Sequence, residues 1–370
     1  MPMPDESLPA LLAQRYLGTS LKLRRGENVL IETWNHTLPY AAACVLEARR
    51  LGAHPLLVLE DEGAWFRALD TLPTPARWTK MGSHEWSAME ESDAYVFFPG
   101  PADRPRLLGL PDPVRRSLFP DNPEWHRRAS KRKLRMLRSI LGYASDSQAA
   151  RWGVNGPGWR NQLVQATINP DPLAMASDAK RAAAKLRTGK ELRITTPNGT
   201  DLTVRLRGRR PRVDDGIVDA PDLALGQNVT VSPPGSVVVA VNERSAEGMA
   251  IANRPSFLPS GRAETGQWEM RGGRVTNFWY SEGQAAFEAA YQKAPKGREV
   301  VSLFSLGINP ALAPGTPQVE DQEAGAVCLG IGGNADYGGT NRTPFLSWIV
   351  LGEATVAVDG KPLCDRGKIL

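Results

Sequence analysis

Two short apolar runs, Val29-Leu30-Ile31 and Leu56-Leu57-Val58-Leu59, flank a segment of helical composition. This arrangement constrains the fold more than any other feature of the chain. Each run is too short for a buried helix and suits a strand covered on both faces. Between them, Pro39 to Leu51 is rich in small and apolar residues and ends in Arg49-Arg50-Leu51. Gly52 follows, the residue best able to close a helix in the left-handed conformation. Strand, helix and strand at this spacing form a βαβ unit, so the two strands run parallel. Asp93-Ala-Tyr-Val-Phe-Phe-Pro99 reads as a third strand of the same sheet. Ahead of it all, Leu8, Leu11, Leu12 and Tyr16 have the spacing of an amphipathic helix.

After Arg187-Thr188-Gly189 the period changes to two. Glu191 to Arg207 alternates on both sides of Pro197-Asn198-Gly199-Thr200 and predicts a hairpin. Further strands are expected over 236–241, 273–280 and 352–358, with one helix over 282–292. The length of 370 residues suits two domains. The fold class expected is α/β plus α+β: an N-terminal parallel-sheet α/β domain, 1–187, and a C-terminal β-rich domain, 188–370.

Composition narrows the function. With 41% hydrophobic and 23% charged residues there is enough apolar side chain for true cores, which excludes global disorder. No run of about 18 apolar residues occurs, so no membrane helix is expected. The opening Met1 to Ser7 lacks the basic and apolar regions of a secretory signal. Three cysteines, Cys44, Cys328 and Cys364, form no CxxC pair and imply neither a disulfide framework nor a zinc knuckle. A cytoplasmic location is the expectation. A net charge of +5 is mild for this length and does not mark a nucleic-acid protein. Seven basic residues between Arg127 and Arg138, with Leu134, Leu137 and Leu141, read as a solvated amphipathic helix. A patch for an acidic ligand is the functional alternative; without an aromatic platform, nucleic acid is not expected there. The four histidines are His36, His54, His84 and His126, and none follows. A site in the second half of the chain therefore has no local imidazole for acid–base work or metal ligation.

The order of landmarks resembles the thermophilic metallo-aminopeptidase family of the aminopeptidase T type, whose superfamily includes the 2,5-dihydroxypyridine dioxygenases. Gly26-Glu-Asn-Val-Leu-Ile, a helix ending Arg50-Leu51-Gly52-Ala53 and a strand resemble its opening. Thr196-Pro-Asn-Gly-Thr-Asp-Leu202, Pro234-Gly235-Ser236-Val237, Leu306-Gly307-Ile308-Asn309-Pro310, Gly325 to Asn334, Gly338-Gly-Thr-Asn341 and Ala354 to Gly360 resemble its later motifs in order. The resemblance implies a metal held by carboxylates and imidazoles in the C-terminal domain, and a homodimer. At the ligand positions this chain has Ser236, Leu303, Cys328, Phe345 and Ser347. Leucine and phenylalanine have no lone pair to give, and a serine hydroxyl is a poor ligand for a divalent ion. No metal and no other cofactor are expected.

The expectation that follows is a non-catalytic homologue whose pocket, lined by those five residues, binds a peptide or peptide-like ligand and presents it to a partner enzyme, as in modified-peptide biosynthesis. With its acidic ligands gone, the pocket floor would favour an uncharged or acidic ligand. The alternative is a metal-independent hydrolase, or a divergent aminopeptidase or ring-cleaving enzyme, with Cys328 as nucleophile. Other features read more plainly. Trp268, Trp279, Tyr280 and Trp348 suit a core or an aromatic groove. Arg205 and Arg207 suit a solvated strand face or a carboxylate clamp. Asp214-Asp215 and Glu320-Asp321-Gln322-Glu323 read as solvated loops, with a residual cation site of poor spacing as the alternative.

Overall fold

The computed structural model describes residues 7–72, 80–115, 117–118, 122–258 and 261–370. Among them the strands are, in chain order, β1 (Asn28–Trp34), β2 (His54–Glu60), β3 (Ala94–Phe97), β4 (Arg135–Ser139), β5 (Glu191–Thr195), β6 (Asp201–Arg205), β7 (Arg212–Asp214), β8 (Val229–Ser232), β9 (Ser236–Ala240), β10 (Glu247–Ala252), β11 (Ser256–Leu258), β12 (Gly261–Ala263), β13 (Gly266–Arg271), β14 (Arg274–Tyr280), β15 (Val301–Gly307), β16 (Val327–Gly332), β17 (Leu346–Leu351), β18 (Thr355–Val358), β19 (Lys361–Asp365) and β20 (Lys368–Ile369). The chain forms two compact units. One comprises Met1–Ile168 with Gly216–Pro233, the other Asn169–Asp215 with Pro234–Leu370.

The first unit is the expected α/β fold. Its sheet has the order β2-β1-β3-β4-β8, and each neighbouring pair is parallel. β1 buries every residue but its first, and β3 buries all four, as strands covered on both faces do. The helix Leu38–Arg50 makes the crossover between β1 and β2. At the ends of β4 and β8 a run of buried hydroxyls ties the unit together. Tyr16 Oη lies 2.8 Å from Ser139 Oγ and accepts from Ser232 Oγ at 2.9 Å, and Ser232 in turn meets Thr167 at 2.8 Å.

Two expectations about this region need correction. The basic stretch is not one helix. The helix Pro123–Arg132 stops where Lys133 turns left-handed (φ 60°), and β4 starts two residues later. Leu134 and Leu137 are therefore buried from a strand and its lead-in, not from a helical stripe. The single boundary after residue 187 is also replaced by three crossings. The helix Pro172–Thr188 lies in the second unit, while 216–233 returns to the first so that β8 can pair with β4.

In the second unit, an eight-stranded sheet runs β14-β13-β10-β6-β5-β18-β19-β20, and a five-stranded sheet runs β17-β16-β15-β9-β7. The hairpin read from 191–207 is present as β5 and β6, paired from Glu191↔Arg205 to Thr195↔Asp201. One core joins Leu192, Ile194, Leu202 and Val204 of the larger sheet to Val237, Val239, Phe304 and Leu329 of the smaller. Trp268 and Tyr280 belong to this core, in contact with Phe278 and Phe287, while Trp279 is 57% exposed. The aromatic residues thus divide between core and surface and form no common groove.

Candidate functional site

Strand parity decides which of the candidate residues meet. Cross-strand partners in an antiparallel sheet share a face, and successive residues alternate. In the five-stranded sheet, Val237, Phe304, Val327, Leu329 and Ile349 point into the core. The opposite face carries three rows. Asp214, Ser236 and Gly307 form the first; Arg212, Val238, Ser305, Cys328 and Val350 the second; Ala240, Leu303, Gly330 and Trp348 the third.

Ser236, Leu303 and Cys328 therefore share one face. Ser347 pairs with Ile331 and belongs to the core face. Phe345 precedes β17 and packs its ring edge-on against Tyr291, also on the core side. The structure brings three of the five residues together and sets the other two apart.

The shared face is filled. Leu303 is fully buried with Val238 and Ala240, and Tyr337 and Trp348 close over them. Gly330 makes that closure possible. A Cβ there would stand 2.8 Å from Leu303 Cβ and 3.1 Å from the Trp348 ring. Cys328 is also fully buried, and its thiol donates to Glu320 O at 3.7 Å. Burial, reinforced by Asp321, Glu320 and Glu323, holds that thiol well above its usual range. Activated cysteines need the reverse, a cation or imidazole that favours the thiolate.

The residues that sequence reasoning missed are the carboxyls over this face. Glu320 and Asp321 do not sit on a solvated loop. They keep part of their surface accessible but lie recessed among protein atoms. Burial pushes Glu320 up to about 8, helped by the Asp321 charge. It pushes Asp321 up to about 6, against the pull of neighbouring backbone groups and Ser305. Glu323 is raised by burial too, with Arg254 3.6 Å away opposing the shift. The floor has thus not lost its acidic groups, as had been expected; it carries them on the loop between β15 and β16. One signal was present in the sequence: Leu312 and Val319, both buried, show that this loop packs back on the sheet. The buried Ser305 hydroxyl is the side-chain neighbour that opposes the Asp321 shift.

A divalent metal, which the aminopeptidase resemblance implies, does not fit these residues. The face offers a hydroxyl, a hydrocarbon, a thiol held in its protonated form and the Asp214 carboxyl, and burial keeps the proton on the nearby Glu320. Among the described residues no group of three or more His, Cys, Asp or Glu side chains is arranged to hold a metal ion.

No protein-family model matches the chain, and no curated protein matches it. Solved structures do. Wild-type AmpT from Thermus thermophilus superposes with a TM-score of 0.73 at 18% identity, covering 98% of this chain and 99% of that one. The 2,5-dihydroxypyridine dioxygenase from Pseudomonas putida KT2440 gives a TM-score of 0.64 at 16% identity, covering 100% of this chain and 98% of that one. At such identities the likeness shows the fold alone: a parallel-sheet α/β part with antiparallel sheets, on the scaffold that AmpT also uses.

Proposed function

We propose that this chain binds a peptide or peptide-like ligand on its aminopeptidase-like scaffold without cleaving it, and presents it to a partner enzyme. The observation that carries the reading is the recessed acidic loop between β15 and β16, beside the face that brings Ser236, Leu303 and Cys328 together, in a unit that contains no histidine. Glu320, whose carboxyl burial pushes up to about 8, offers hydrogen bonds of both senses, a hydroxyl to donate and a carbonyl to accept. An amide group needs that pairing, one donor and one acceptor. A hydrolase built on Cys328 would need a thiolate, and its surroundings favour the thiol.

The test is calorimetry and product analysis on one panel of short peptides, with and without added zinc, cobalt or manganese. Saturable binding of at least one peptide, with no new amino terminus released, is the expected result. Glu320→Ala should weaken that binding roughly 3- to 10-fold, the worth of one hydrogen bond. Turnover with any of the metals, stoichiometric iodoacetamide labelling of native Cys328, or absence of binding throughout the panel would overturn the reading.

We further propose that the chain is a homodimer, and the free edge of the parallel sheet supports this. β2 leaves Leu56 50%, Leu57 36% and Leu59 44% exposed, an unusual density of apolar surface on a strand whose outer edge has no partner among the described residues. His54 N–H points inward to Glu27 O, so by alternation the Leu57 and Leu59 N–H groups point outward. An antiparallel pair of β2 strands centred on Leu57 satisfies both in each copy, and Pro55 contributes only its carbonyl. The same register sets His54 of one copy opposite Glu60 of the other. Sedimentation velocity at micromolar concentration should give a dimer for the wild type and a monomer for Leu57→Lys. A wild-type monomer, or an unaffected variant, would rule out this interface.

A further inference from the structure

A cavity of about 560 Å³ opens at the end of the first unit's sheet where β1, β3 and β4 begin. Five cations line it: Lys22, Arg24, Arg132, Lys133 and Arg135. They come from separate segments, the turn before β1, the end of the helix Pro123–Arg132, and β4. Three acids line it too, but each is committed. Glu27 accepts from the Arg24 backbone and from Arg135, both at 2.7 Å; Asp93 accepts from Asn28 N at 2.9 Å; Asp219 accepts from Asp222 N at 3.3 Å. Arg135 also donates to Leu21 O and Lys22 O, which fixes the loop bearing Lys22. Among the described residues Lys22, Arg24, Arg132 and Lys133 form no ion pair with a carboxylate, and five cations against three acids leave the lining with a net positive charge.

The backbone at two of these positions argues against incidental surface charge. Lys22 (φ 48°) and Lys133 (φ 60°) both hold the left-handed conformation that favours glycine. A comparison lies within the same unit: the helix Asp146–Trp152 ends on Gly153 with φ 63°. The helix Pro123–Arg132 makes the same turn with a lysine, against the intrinsic preference. Compensation of the helix carboxyl end accounts for Arg132, but not for Lys22 and Arg24 on another segment. Part of the lining is apolar, with Leu134, Val218, Pro221 and Leu223, and among the described residues no aromatic ring lines the cavity.

We infer that this cavity binds a small aliphatic polyanion, a phosphate or diphosphate ester, with its anionic head on Lys22, Arg24, Arg132 and Lys133 and its hydrocarbon on Val218, Pro221 and Leu223. The size suits a small molecule, and the absence of a ring to stack on sets aside a nucleobase. The inference is independent of the peptide reading, which concerns the other unit.

Isothermal titration of the full-length protein with sodium diphosphate at low ionic strength should give saturable binding that weakens as sodium chloride is added. Isopentyl diphosphate should bind more tightly. The double variant Lys22→Gly/Lys133→Gly relieves the backbone, so its melting temperature should rise while diphosphate affinity falls at least tenfold. Arg132→Glu should lose binding with the backbone untouched. Absence of saturable binding to the wild type, or variants that bind as tightly as it does, would overturn the inference. Equal affinity for the two diphosphates would remove the apolar lining from it.

Discussion

Gly325→Ala should unfold the second unit, with a loss of more than about 4 kcal/mol, in the range reserved for gross steric conflict. Gly325 sits at φ +81° just ahead of β16, and a Cβ built on it would lie 1.6 Å from the carbonyl oxygen of Gly367. No rotamer relieves an overlap between backbone atoms. Gly367 is itself held by its bond to Ala354 O, and Gly325 N–H bonds Gly307 O, so neither strand end can retreat without breaking a ladder. Gly338 supplies the control. It has nearly the same φ, +76°, and nothing within 4 Å of the position a Cβ would take. Gly338→Ala should therefore cost only the conformational penalty, about 1 kcal/mol. Urea unfolding of the two variants beside the wild type separates steric overlap from φ strain. If Gly325→Ala came within about 1 kcal/mol of Gly338→Ala, the close approach of these two loops would be wrong.

The parts of this protein that follow from local pattern were legible, and those that depend on long-range pairing or on parity were not. Val29 to Ile31, the helix closed by Gly52, and the hairpin around Asn198-Gly199 declare themselves through runs, caps and turns, and the structure has all of them. β8 was invisible because Val229-Thr230-Val231-Ser232 is four residues with two valines, and only its pairing with β4 makes it the fifth strand. At Lys133 the conformation is one that the sequence disfavours, so the basic stretch looked continuous when it is broken. The site shows the parity problem most clearly. Ser347 and Cys328 are both strand residues near matched landmarks, yet a β register that pairs Ser347 with Ile331 sends its side chain to the other face. Glu320 and Asp321 were hidden for the opposite reason. Four polar residues in a Pro-rich loop look solvated, and only the fold of that loop over β15 and β16 reveals them as recessed.

That recess makes stability depend on pH in a direction unusual for carboxylates, and Glu320→Gln should remove much of the dependence. In the unfolded chain Glu320 ionises near its ordinary value of 4.5, whereas in the folded protein it holds its proton up to about 8. Below 4.5 both states are protonated and the residue contributes no pH dependence. Between 4.5 and 8 the folded state binds the extra proton, so stability falls as pH rises, by about 1.4 kcal/mol per pH unit. Above 8 both states are ionised and the loss is complete. Asp321 acts with the same sign over a lower window, from 3.8 to about 6. Between pH 6 and 8 the Glu320 contribution therefore stands nearly alone among the two, and the wild type should lose roughly 2–3 kcal/mol across it. An amide keeps the shape and cannot ionise, so the variant should be the more stable protein at pH 8 and nearly flat over that interval. His36, whose burial lowers its value, adds a dependence of its own, but it is common to both proteins and cancels in the difference. Unfolding curves at pH 6, 7 and 8 decide the matter. Parallel profiles for the two proteins would mean that Glu320 is solvated after all, and the recessed acidic floor beneath the proposed ligand would go with it.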